Sequence, residues 1–240
     1  MNALGSVDMG LGPGMVRLGR LLQFSDSTLP VGSFAFSNGL ESALQTGIVT
    51  DRASLQEFVS LVVRQASRMD GVAALHAYRA ACDGDVGAIR AADEALWQRR
   101  VGEEQRTMLA RMGRKFAELA LKIAEFPQLA TWLGDIRAGV TPGCYPVGQA
   151  LGLAQLGASE REAFVLHQYG AASMVLSAAI RLMKIDHLDT QRILYNIQSR
   201  LDDDYKRVRS LSLEEMAGFA PIFDVLVAHH ETTQVRLFMN

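Results

Sequence analysis

The residues best suited to chemistry are few and scattered. His229-His230-Glu231 is the only run of neighbours with metal-ligand types. Adjacent residues on a helix point about 100° apart, so one imidazole with Glu231 could serve a transition-metal site, most readily one shared with another chain. Imidazole suits nickel and zinc, but three such residues do not close a high-affinity site alone. The other histidines are His76, His167 and His187, and the first and second of these fall in apolar helical stretches where a hydrogen-bonded core histidine is common. An all-α enzyme using His167 and Tyr169 is one alternative; a direct nickel-binding metallochaperone using His229, His230 and Glu231 is another. The acid pairs Glu103-Glu104 and Glu214-Glu215 sit on helices amid other charges and read as helix-start or solvated charge. Cys82 and Cys144 are isolated from each other and from histidine, which suits a reducing cytosol and excludes a zinc motif. No GxxxxGK[ST], HExxH, GxSxG or CxxC occurs, and Gly10-Leu11-Gly12-Pro13-Gly14 does not follow a strand. No nucleophile is paired with a base. The expectation is a protein that is not an enzyme, with no intrinsic cofactor and no catalytic residue.

The elements that would position these residues are helices. The chain has 240 residues, 49% hydrophobic and 21% charged, with a net charge of −2; this describes a globular protein with no electrostatic pull toward nucleic acid or an anionic membrane. Residues 1–14 hold four glycines and Pro13 and read as a flexible tail. Residues 15–228 read as one all-α domain of about ten helices with two long Gly/Pro-rich connections, and 229–240 as a partner-binding tail. Ser54 with Glu57, Ser159 with Glu162 and Ser212 with Glu215 have capping-box spacing. A helix is expected from Asp70 to Cys82 ending at Gly84, another from Asp85, and a long charged segment from about Asp93 to Glu125. Leu129–Ile136 is a short helix, and Asp189 is expected to cap a later one. Residues 163–180 carry no charge over 18 positions but include His167, Gln168, Tyr169, Ser173 and Ser177; a buried central helix fits better than a membrane span. The N-terminus shows no basic region followed by an apolar core, so a cytoplasmic location is expected.

The most informative run is LLQFSDSTLPVGSFAFSNGLE, residues 21–41. Between Ser27 and Leu40 it has no charge, yet it carries Pro30, Gly32, Phe34, Phe36 and Gly39. An ordinary surface loop would be charged; this one holds its backbone close to the core or to a partner.

The chain resembles the urease accessory protein F family (UreF). The resemblance rests on Leu29-Pro30-Val31-Gly32, Ser37 and Gly39-Leu40-Glu41; on Glu103-Glu104 with Arg106 and Gly113; on Tyr145-Pro146-Val147 with Gly148 and Leu151-Gly152; and on His230-Glu231-Thr232 with Arg236-Leu237-Phe238. These stand in the family's order over nearly all of residues 15–240. Phe34 stands where many members have Tyr, Phe36 where they have His or Trp, and Lys184, His187, Thr190, Gln234 and Val235 also depart from the pattern.

The resemblance implies an α-helical homodimer that assists nickel insertion into apo-urease with the accessory protein UreD (also called UreH) and the GTPase UreG. The partner GTPase would bind the GTP, and the assembled complex would handle nickel. Three surfaces are expected on that basis. The loop Pro30–Leu40 would meet the GTPase through Phe34, Ser37 and Glu41, with Gly143–Val147, and so Tyr145, beside it. The tail, with His230, Glu231, Arg236, Leu237 and Phe238, would order on UreD/UreH. Arg181 with Lys184 would form a third. The competing expectation is that Phe34, Phe36 and Leu40 plug the core while Glu41 caps the next helix.

Overall fold

In a computed structural model, residues 14–218 are described, and the chain there is helical throughout with no strand among the described residues. The eleven α-helices are α1 (Gly14–Ser25), α2 (Leu40–Gln45), α3 (Arg52–Ala66), α4 (Val72–Asp83), α5 (Val86–Gln98), α6 (Glu103–Ile123), α7 (Pro127–Arg137), α8 (Tyr145–Gln155), α9 (Glu160–Leu182), α10 (His187–Gln198) and α11 (Leu201–Val208). A π-helical turn, Ser67–Gly71, runs α3 directly into α4, and a 3₁₀ turn, Ser33–Ala35, interrupts the first long connection. The expected 1–14 tail, except Gly14, which begins α1, and the expected 229–240 tail lie outside the described residues.

Local chemistry sets the helix ends, in places differently from expectation. The box at α3 uses Asp51, not Ser54, as the cap: Ser54 N–H donates to Asp51 Oδ1 at 2.8 Å and Asp51 N–H donates to Ser54 Oγ at 3.0 Å. A carboxylate three residues upstream is the better acceptor, so the helix starts one turn earlier. Asp186, not Asp189, caps α10 by accepting from Asp189 N–H at 2.7 Å. Ser159 and Glu162 form the expected box at α9. Ser212 and Glu215 also bond reciprocally, around a turn. The segment expected as one long helix from Asp93 breaks at residues 99–102, where Gly102 in extended conformation leads into α6. The second connection is shorter than expected, because Pro146 starts α8 in its first turn, where a missing N–H costs nothing.

α4 lies at the centre, against α8, α5 and α9, and α6 covers α8. Phe116, Phe126, Trp132 and Phe164 are fully buried in the main core. A second core joins α2 and α3 to α9 and α10. α9 is the one helix among the described residues long and apolar enough to cross a membrane, and half of its apolar window is buried. α6 and the chain before α8 touch at Gly113: a Cβ there would lie 2.1 Å from Gly143 O, so only glycine permits this approach.

Candidate functional site

The first connection is shaped by backbone chemistry. Asp26 accepts from Thr28 N–H at 2.6 Å, closing a turn after α1, and these bonds hold its carboxyl below the usual range. Val31 tucks inward, Gly32 takes the left-handed region at φ 96°, and the 3₁₀ turn carries Phe34 outward. Phe36 then returns to the core in extended conformation. Asn38 and Gly39, at φ 52° and 77°, swing the chain into α2.

Phe34 is 69% exposed. It is nonetheless fixed: the Arg181 guanidinium sits 3.7 Å from the centre of its ring, and Arg181 Nη2 donates to Phe34 O at 2.9 Å. Arg181 leaves the last turn of α9, where a cation is favoured by the helix carbonyls, and partial burial draws its pKa down. The structure thus joins two candidates that lie 147 residues apart.

Two other candidates are not on the rim. Glu41 is 4% exposed and Ser37 fully buried, with Glu41 N–H 3.5 Å from Ser37 Oγ. The first four residues of α2, Leu40, Glu41, Ser42 and Ala43, are all buried, so Glu41 is enclosed along with Leu40. The plug expectation therefore holds for Phe36 and Leu40 and fails for Phe34, and the expectation of Glu41 as a surface acid is corrected. Tyr145 is half-buried, its ring edge-on to Phe116 at 5.8 Å, and burial pushes its phenol pKa up. His229, His230, Glu231, Arg236, Leu237 and Phe238 lie outside the described residues.

The second connection is organised by Asp93, which sequence reasoning did not single out. Its carboxylate is fully buried and accepts from Trp132 Nε1 at 3.0 Å, Thr141 Oγ1 at 2.7 Å, Gly143 N–H at 3.0 Å and Cys144 N–H at 2.8 Å. Desolvation raises its pKa, opposed by the hydrogen bonds from Cys144, Thr141 and Gly143. The available signal was an aspartate on the Ile89-Ala92-Leu96 stripe, an expensive place for a charge without donors.

Between the two connections lies a cavity of about 90 Å³. Val31, Ser33 and Asn38 come from the loop and Tyr145 and Pro146 from α8, so the loop and the 143–147 segment do share a site. Deeper in are His167 and the buried ion pair of Asp70 with Arg100 Nη2. Asp70 belongs to the π turn, and such turns gather at functional positions. Burial lowers the His167 pKa and keeps the imidazole neutral. Tyr169, two residues further along α9, is exposed and does not line this cavity. Among the described residues no group of three or more His, Cys, Asp and Glu gathers as a metal site.

The UreF family profile matches residues 49–198. Over 221 residues, 92% of this chain and 97% of the relative, the chain is 45% identical to the urease accessory protein UreF of Yersinia pseudotuberculosis serotype IB (strain PB1/+) and to that of Yersinia pestis (strain Pestoides F). It is 44% identical over the same shares to the urease accessory protein UreF of Yersinia enterocolitica serotype O:8.

Proposed function

Because this chain belongs to the UreF family of urease accessory proteins, we propose that it is a non-catalytic cytoplasmic platform on which nickel, the cargo, is handed to apo-urease. In this reading the chain acts as a homodimer. The loop around Phe34 meets the GTPase UreG, which brings its own GTP, and the tail around Arg236-Leu237-Phe238 meets UreD/UreH. Contact at the loop biases the nucleotide state of the GTPase or couples it to nickel transfer.

The observation that supports this most is the exposed Phe34 ring stacked on Arg181. An apolar ring left in water is costly unless something covers it. A ring already held on a cation loses little freedom when a partner docks, so its contact area is converted efficiently to affinity. With no tyrosine hydroxyl at this position and Glu41 buried, docking here works through shape and apolar area, with the Arg181 charge beside it.

The test is capture of purified UreG, in its GTP-bound state, by the complex of this chain with UreD/UreH. Phe34→Ala should weaken capture at least about tenfold, equivalent to about 1.4 kcal/mol, and urease activation in the reconstituted system should fall with it. Normal capture and normal activation by the variant would remove the loop from the mechanism.

A further inference from the structure

One histidine and three methionines are among the residues that line the cavity beneath the loop. His167 Nδ1 lies 3.0 Å from Gln149 Oε1. An amide oxygen only accepts, so Nδ1 carries the ring proton and Nε2 presents its lone pair. That Nε2 is buried and has no hydrogen-bond partner among the described residues. An imidazole whose far nitrogen is tied to a carbonyl oxygen, leaving the other lone pair in a cavity, is the arrangement that metal-binding histidines adopt.

The thioethers come from two helices. Met108 and Met112 stand one helical turn apart on α6 and line the same cavity. Met174 lies two turns beyond His167 on α9, so both project from one face of that helix, and both line the cavity. Asn38 Nδ2 donates to Met174 Sδ at 3.5 Å, which sets that sulfur beneath the loop. Methionine often only fills gaps in a core; here three of them line one cavity together with an imidazole nitrogen that has no partner among the described residues. The charged groups in the lining are Asp26, Asp70 and Arg100, a surplus of one negative charge that suits a monocation.

We propose that this cavity binds a soft monovalent cation, Cu(I), through His167 Nε2 and the thioethers of Met108, Met112 and Met174. Thioether donors select Cu(I) over nickel and other harder divalent ions, so the site is distinct from any handling of urease's nickel. Gln149 is the positioning residue that orients the imidazole. Loop residue Asn38 and the cavity wall at Tyr145 would exclude water from the ion.

Ag(I), a redox-inert stand-in, is titrated into the full-length chain while methionine methyl signals are followed by NMR and affinity is read by chelator competition. One equivalent should bind and shift the methyls of Met108, Met112 and Met174. His167→Gln should weaken binding at least about tenfold, and Gln149→Ala about tenfold, as expected when a ligand's support is lost. The volume-conserving triple variant M108L/M112L/M174L, which is expected to fold, should abolish it. The double variant H229A/H230A should bind as tightly as the unmodified chain. Absence of stoichiometric binding, shifts confined to other methionines, or loss of binding in the H229A/H230A variant would overturn the proposal. So would Ni(II) shifting the same methyls at equal affinity.

Discussion

Residues 26–39 leave an aromatic ring in solvent and hold it with a cation from another helix, whereas residues 138–144 turn inward onto a buried carboxylate. Both segments are glycine-punctuated, and beyond Asp26 neither carries a charge. Their neighbours separate them. The second connection faces Asp93, which would lose three of its four donors, Thr141, Gly143 and Cys144, if the loop moved. The first is rooted in the core by Val31 and Phe36, but its outward turn is held by Arg181, a contact that water can replace. A loop fixed from below serves the fold; a loop steadied from outside, with its ring uncovered, is available to a partner.

The largest expected effect tests the buried side of this contrast. Asp93→Ala strands the Trp132 indole, the Thr141 hydroxyl and two backbone N–H groups, and should cost about 3–5 kcal/mol in urea unfolding. Phe34→Ala on the same assay should change stability by no more than about 0.5 kcal/mol. Equal losses in the two variants would erase the distinction between the connections.

Arg181→Ala comes next. Losing a cation–π contact and one exposed hydrogen bond should cost about 1 kcal/mol, with faster amide exchange confined to the residues around Phe34. Exchange spreading into α8 would mean that the first connection is as deeply anchored as the second.

The smallest effect concerns the helix that leads into the loop. Arg17 on α1 bonds Glu162 at 2.8 Å and 2.9 Å, and that pairing, with Ser159 N–H, holds the Glu162 carboxyl at about 2. A carboxyl depressed on folding stabilises the protein above its unfolded pKa, near 4.5, and the gain is lost as pH falls from there toward 2. The pair is partly exposed, so screening by solvent keeps its worth small. The stability difference between the unmodified chain and Glu162→Gln should therefore shrink over that pH window. A difference independent of pH would show that Arg17 packs against α9 without electrostatic help.

Much of this architecture was legible before any coordinates. Helix periodicity, the Ser159–Glu162 box and the Gly84 stop depend on contacts a few residues apart, so they are written locally. So was the oddity of residues 27–39, because a charge-free loop with two phenylalanines is visible as composition. Cap choice was less legible: Asp51 and Ser54, or Asp186 and Asp189, are rival acceptors three residues apart, and geometry picks between them.

By itself, the sequence determined an all-α protein with two unusual connections, no nucleotide-binding or catalytic motif, and the pattern of an accessory family. Only the tertiary structure decided that Phe34 faces outward while Phe36 and Glu41 face inward, that Arg181 reaches across to the loop, and that Asp93 holds the other connection. It also decided that His167 shares a cavity with Met108, Met112 and Met174. The physical reason is range. Helix propensity and capping act within one or two turns, while the side a residue faces and the partner of a buried charge are set by where distant helices pack.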